Sequence, residues 1–159
     1  IAAYDLDAAP DSALEQMTDD QIASLLLHEI GEVKAGERLG HAWEEMLAAL
    51  PRSRVEISLR SIRDQFADSL STLPALLDID KAATVHFFFA NLTPMRKAQA
   101  PRMLLTYDHW LKTRSLDALR DYIPLAQAHW QDLTRQVLQL HQQGAPLDEL
   151  QNLIDAHPL

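Results

Sequence analysis

One apolar stripe between residues 55 and 73 constrains the fold of this chain more than any other feature. Its members recur every three or four residues, the spacing that places side chains on one face of an α-helix: Val55, Leu59, Ile62, Phe66, Leu70 and Leu73. Pro74 is predicted to end this helix, because proline cannot continue the backbone hydrogen bonding. No segment shows the alternation of a β-strand, so the sequence predicts an all-α fold.

The length of 159 residues and an apolar content of 47% are sufficient for one hydrophobic core. We predict a single-domain helical bundle of six or seven helices with short loops. Residues 1–17 are interpreted as an irregular N-terminal arm, and residues 18–159 as a single helical domain.

Two later helices follow from local signals. Val85 and residues 87–89, all phenylalanine, indicate a central buried helix, with His86 as a hydrogen-bonded core residue and Asp78 or Asp80 as its cap. Pro124 is predicted to begin a long helix that ends at Gly144.

Residues 18–50 contain the features that bear on function. Thr18 and Gln21 have the spacing of a helix-capping box, and one apolar stripe follows at Ile22, Leu26, Ile30 and Val33. A second stripe contains Leu39, Trp43, Met46, Leu47 and Leu50. The segment between them is polar and contains Gly36, which favours a break into two helices, although one bent helix remains an alternative.

The charge of the chain is concentrated in its first third. The net charge is −9, and residues 1–50 hold eleven acids and two bases, whereas the remainder is balanced. Such a surface repels nucleic-acid backbones and attracts basic partners or cations. We therefore expect no nucleic-acid binding. We also expect no membrane association, because no apolar run approaches the roughly 18 residues of a span. The absence of cysteine fits a reducing compartment, and we predict a cytoplasmic protein.

Several acids and histidines are candidate ligands of a divalent metal. Glu29 and Glu32 share a helix face with His28, and Glu45 lies four residues after His41. If the chain folds back near Gly36, the two sets face each other and could hold magnesium or manganese, which prefer oxygen ligands. The alternative is that these side chains form the solvated faces of amphipathic helices.

The pattern Glu29-x2-Glu32 followed by Glu45-x2-Ala48 resembles the magnesium motif of the all-α nucleotide pyrophosphohydrolases related to the MazG protein. That motif is Glu-x2-Glu followed by Glu-x2-Asp. The resemblance implies that the acids hold magnesium while a water attacks a nucleoside triphosphate between its α and β phosphates. Three positions match, but Ala48 replaces the aspartate and cannot bind metal. The resemblance is confined to residues 29–48.

Basic side chains provide candidate anion or phosphate contacts, because guanidinium groups bind phosphate through paired hydrogen bonds. The candidates are Arg52, Arg60, Arg63, Arg96, Lys97 and Arg102. The alternative for the arginines before residue 64 is a solvated basic face or pairing with the acids of the preceding stretch.

Three classes of function remain. The first is a non-enzymatic helical protein-interaction or adaptor module, whose acidic N-terminal third meets another protein or a second copy of the chain. The second is a divalent-metal-dependent hydrolase of a phosphate-containing small molecule that uses Glu29, Glu32 and Glu45. The third is a ligand-sensing or oligomeric domain with a pocket lined by the phenylalanines at 87–89 and the tryptophans. The sequence favours the first class and leaves open whether the protein is an enzyme.

Overall fold

The computed structural model describes residues 4–79 and 81–159, and every regular element within these ranges is helical. The predicted all-α fold is confirmed. The α-helices are α1 (Pro10–Leu39), α2 (His41–Ala49), α3 (Arg54–Ala67), α4 (Leu73–Ile79), α5 (Ala82–Ala90), α6 (Pro94–Gln99), α7 (Pro101–Thr113), α8 (Asp117–Gln142) and α9 (Leu147–Ala156). A π-helical segment, Asp68–Thr72, joins α3 to α4 without interruption. The described ranges therefore contain eight separate helices rather than six or seven.

The centre of the core is α3. Leu59, Ile62 and Phe66 of the predicted stripe are completely buried, and the helix contacts α1, α2, α6, α8 and α9. By contrast, α5 packs mainly against α1 and α4. The prediction that α5 is the central helix is wrong, since it buries only part of its surface and leaves His86 partly exposed. The Nδ1 atom of His86 lies 2.8 Å from the hydroxyl of Tyr107, so its predicted hydrogen bond is present.

Two prolines lie inside helices that they were predicted to delimit. Pro74 is the second residue of α4, immediately after the wide π-helical turn, where the regular hydrogen-bond ladder is already interrupted. Pro124 lies within α8, whose buried face includes Leu119 before the proline and Trp130 after it. This packing offsets the roughly 3 kcal/mol that an interior proline costs. Gly144 follows α8 with φ +77°, as predicted for the end of this helix.

The first helix is longer than predicted at both ends. It begins at Pro10, so residues 10–17 of the predicted arm are helical, and the Thr18 hydroxyl donates to the Leu14 carbonyl instead of capping a helix. It continues through Gly36 and ends before Gly40, whose φ of +75° favours glycine. The favoured break near Gly36 is therefore displaced by one turn. Residues 1–3 of the arm, and Asp80 as a possible cap, lie outside the described residues.

Candidate functional site

The face of α1 that packs on the protein carries small and polar residues. It includes Ser24, Gly31 and Ala35, and the last two are buried. A Cβ atom added to Gly31 would lie 2.4 Å from the carbonyl oxygen of Ala67, a distance that real Cβ contacts do not show. The α1 backbone therefore lies directly against the end of α3, and the small residues are what permit this approach.

The opposite face of α1 carries six large apolar side chains, which we call the outward face: Leu14, Ile22, Leu25, Leu26, Ile30 and Val33. They are between 48% and 63% exposed. An apolar stripe at helical spacing normally faces the core, but here the close approach at Gly31 turns the small residues inward. The predicted stripe of α1 consequently lies on the surface, and the outward face to which it belongs extends from Leu14 to Val33 over about 28 Å, at 1.5 Å per residue.

Acidic residues surround the outward face. The helix α1 holds seven acids and two bases, a net charge of −5. Glu15, Asp19, Glu29 and Glu37 are exposed, and helical spacing places them among or beside the apolar side chains. The outward face is therefore an apolar stripe flanked by negatively charged side chains. Large exposed apolar patches mark interaction sites.

A buried polar cluster lies on the other side of α1, and we call it the Asp68 cluster: His28, Asp68, Thr72 and Arg96. Asp68 begins the π-helical segment and is 2% exposed. Its Oδ1 atom accepts hydrogen bonds from His28 Nδ1 at 2.7 Å and from the Thr72 hydroxyl at 2.8 Å. Its Oδ2 atom accepts from the guanidinium of Arg96. One buried carboxylate thus connects α1, the π-helical segment and α6, and its partners offset the cost of burying the charge.

The π-helical segment positions Asp68 where the neighbouring helices meet. In this wide turn the amide of Leu73 donates to the carbonyl of Asp68, five residues earlier. Side chains satisfy other carbonyls, since the Ser69 hydroxyl donates to Phe66 and the Gln127 amide donates to Ser69. Single π-helical turns are rare and frequently occur at functional sites.

Three potential metal ligands lie beside this cluster. His28, Glu32 and Asp64 each offer one ligand atom within 4.8 Å of the others. The Arg63 guanidinium donates to Glu32 at 2.5 Å and lies 3.6 Å from Asp64, so a cation already neutralises the group. Burial raises the pKa of Asp64 above its usual value, and this effect exceeds the opposing attraction of Arg63.

The predicted metal ligands are only partly brought together. His28 and Glu32 belong to the three-residue group, whereas Glu29 lies on the exposed side of α1. Glu45 and His41 lie on α2, where both side chains are exposed and the two groups are 3.2 Å apart. Metal binding, with magnesium or manganese, stays a prediction, and within the described chain the closest group of donors includes Asp64 rather than Glu29 or Glu45.

Three of the six predicted anion-binding residues are engaged with carboxylates. Arg60 pairs with Glu56, Arg63 with Glu32, and Arg96 with Asp68. Arg63 therefore pairs with an acid of the preceding stretch, as in the alternative to anion or phosphate binding that the sequence left open. The other candidates are Arg52 and Arg102, which are exposed, and Lys97, which is half-exposed.

Sequence reasoning missed Asp64 and Asp68. Both lie in the helix whose apolar stripe runs from Val55 to Leu73, and that stripe predicts which face of the helix is buried. Asp64 and Asp68 lie off the stripe, so the pattern places both on the solvent side. Contact with α1 changes this assignment, because α1 packs against α3 and against the irregular π-helical segment, and its His28 donates to Asp68. The polar run Asp68, Ser69, Ser71 and Thr72, all buried in the structure, is the signal that marks the irregularity.

Within the described ranges, none of the helices combines the length and the hydropathy needed to cross a membrane. The cytoplasmic location and the lack of nucleic-acid binding stay predictions. No curated protein matches the chain, and no solved structure matches it. Residues 1–157 match a family of unknown function (DUF6866), over its C-terminal domain. The chain belongs to this family, the DUF6866 C-terminal domain.

Proposed function

We propose that this domain is a non-enzymatic protein-interaction module and that the outward face of α1 is its binding surface. The observation that carries the proposal is the exposure of six large apolar side chains along one face of a 30-residue helix. An interface that covers a side chain of this size completely gains about 1.5–3 kcal/mol relative to leaving it exposed. Since these side chains are about half-exposed, each offers roughly 1 kcal/mol to a partner.

The length and pattern of the outward face match a helical partner. Apolar residues at Ile22, Leu26, Ile30 and Val33 recur at the spacing with which helices pack against one another or enter grooves. A partner helix of about 20 residues has the same length as the whole outward face, from Leu14 to Val33.

The charge of α1 determines which kind of helix fits. Two copies of α1 would each bring a net charge of −5 to a shared interface, and like charges across an interface are destabilising. A helix with lysine or arginine beside its apolar stripe instead meets Glu15, Asp19 and Glu29 with opposite charge. We therefore propose a basic amphipathic helix of another protein as the partner.

The experiment uses a designed 21-residue helical peptide with leucine and isoleucine along one face and lysine on both sides of it. Binding is measured by fluorescence anisotropy at two salt concentrations. We expect saturable binding that weakens at high salt. It should fall at least tenfold in the double variant Leu26→Gln, Val33→Gln.

A matched control distinguishes binding at the outward face from non-specific hydrophobic binding elsewhere on the protein surface. Leu105 on α7 is 68% exposed and Ile57 on α3 is 55% exposed, so the control pair Leu105→Gln, Ile57→Gln removes a similar exposed apolar surface elsewhere and should leave binding unchanged. Equal binding by the double variant, or equal binding of a peptide with glutamate in place of lysine, would refute the proposal. Light scattering is run in parallel, and a dimer abolished by the double variant would identify a second copy as the partner instead.

A second candidate function is the divalent-metal-dependent hydrolase of a phosphate-containing molecule. The observation in its favour is the group of His28, Glu32 and Asp64. The Nδ1 atom of His28 is engaged by Asp68, which leaves Nε2 for a metal, and carboxylates that orient a ligating histidine in this way are common around metal sites. This candidate stands second because Arg63 occupies the position where a metal would neutralise the carboxylates.

A further inference from the structure

A small cleft opens beside the Asp68 cluster, at a distance from the centre of the outward face of α1. It has a volume of about 170 Å³ and lies between α1, the π-helical segment, α5 and α6. Its polar lining includes Ser24, His28, Asp68, Asn91 and Arg96. A second part of its wall is apolar and is formed by Phe87, Phe88 and Leu25, which lies at the edge of the outward face. The cleft therefore offers one polar end and one apolar wall.

The charged acceptor of this cleft, the carboxylate of Asp68, is fully engaged within the protein. Both oxygens of Asp68 accept hydrogen bonds, three in all, from His28, Thr72 and Arg96. A carboxylate with its donors in place gains little from a further cation. The site is therefore unsuited to a cationic ligand.

The donors of the cleft, by contrast, are in excess. A guanidinium carries five N–H groups, yet among the described residues the side chain of Arg96 donates one hydrogen bond, to Asp68. Its Nε atom is buried without a partner, and its side chain is only 15% exposed. Burial lowers the pKa of Arg96, which means that its surroundings do not fully compensate the buried charge. Groups in this condition require an acceptor.

We propose that the cleft binds a small organic carboxylate, with the negative group on Arg96 and a short apolar tail against Phe87 and Phe88. The anionic group supplies the acceptor that the guanidinium lacks, and guanidinium–carboxylate pairs form two hydrogen bonds at once. The aromatic wall favours an organic tail over a fully hydrated inorganic ion. A volume of 170 Å³ corresponds to about five or six waters at ~30 Å³ each, which suits an acid as small as butyrate.

The test titrates the complete chain with butyrate and follows the arginine side-chain N–H resonances by NMR. Butylammonium carries the same tail with the opposite charge, and inorganic phosphate carries charge without a tail. We expect saturable shifts with butyrate below about 10 mM, no saturable shifts with butylammonium, and at least tenfold weaker binding of phosphate.

The variants block the cleft without altering the charged cluster. Ser24→Leu places a larger side chain in the cleft and should weaken butyrate binding at least tenfold. Gln21→Leu, also on the lining, is the second blocking variant if Ser24→Leu does not fold. Thr18→Leu adds the same side chain at an exposed position of the same helix and should bind as the wild type does. Circular dichroism verifies that each variant is folded.

Three results would overturn the proposal. The absence of saturable shifts in the folded wild type would mean that water satisfies Arg96. Unchanged binding in a folded blocking variant would place the anion elsewhere on the chain. Equal binding of phosphate and butyrate would show that the apolar wall plays no part in recognition.

Discussion

The substitution Gly31→Ala tests the close approach of α1 to α3, on which the orientation of both faces of α1 depends. The added Cβ atom would lie 2.4 Å from the carbonyl oxygen of Ala67 and 2.8 Å from its carbonyl carbon, whereas ordinary contacts begin at 3.4 Å. The obstructing atoms are backbone, so no side-chain rotation relieves the clash. The two helices must separate by about 1 Å, in a region where packing is dense.

Two opposing terms set the magnitude. Overpacking a well-packed interior costs about 1–3 kcal/mol. Replacing glycine by alanine in a helix interior recovers about 0.8–1 kcal/mol through the lower conformational freedom of alanine. We expect Gly31→Ala to destabilise the protein by up to about 2 kcal/mol, the difference between these terms.

Gly36→Ala is the matched control on the same helix. Its Cβ atom would meet only the side chain of Glu44, at 3.8 Å, so the propensity gain is realised without a clash. Because the propensity terms cancel, the difference between the two variants measures the steric cost. In a chain of this size that cost separates the two melting temperatures by about 3–10 °C.

Thermal unfolding followed by circular dichroism, and urea unfolding at constant temperature, provide the two stabilities. Equal stabilisation by Gly31→Ala and Gly36→Ala would refute the close approach. The outward orientation of the apolar stripe, which rests on that approach, would then lose its physical basis.

Two further predictions concern the group beside the Asp68 cluster. Burial raises the pKa of Asp64 above its ordinary value of 3.8, so its ionised form opposes folding at neutral pH, and this cost disappears as the pH falls below the pKa of the unfolded state. The variant Asp64→Asn should therefore have a higher melting temperature than the wild type at pH 7 and an equal one near pH 3. A difference in melting temperature that widens on acidification would contradict the assignment. Arg63→Gln removes the cation that neutralises Glu32 and Asp64. Manganese or zinc should therefore raise the melting temperature more in this variant than in the wild type. Equal increases in melting temperature in the two proteins would argue against a metal site at this group.

The sequence predicted the helix that depends on local periodicity, between Val55 and Leu73, and the helix end at Gly144. The stripe from Val55 to Leu73 has the spacing of a core helix, and its central members are buried. Gly144 adopts the left-handed conformation expected at a helix end. In both cases a property of single residues, apolar area or backbone freedom, is sufficient to decide the structure.

The candidate site was predictable only in part. His28, Glu32, Arg63 and Arg96 were named from the sequence, and all four lie in or beside the Asp68 cluster. Apart from the pairing of Arg63 with an acid of the preceding stretch, their partners were not predicted, because the pairing of side chains 28 to 40 residues apart depends on how the helices are arranged. Spacing along one helix cannot specify which residues meet across two.

The sequence by itself determined that this chain is helical, that its charge lies in the first third, and that α1 carries a continuous apolar stripe. Only the tertiary structure decided which face of α1 is buried. The close contact of Gly31 with Ala67 brings the small residues inward and leaves Ile22, Leu26 and Val33 on the surface. The physical reason is that hydrophobic periodicity reports the apolar area of a face, whereas the choice between faces depends on the distance at which two backbones can pack.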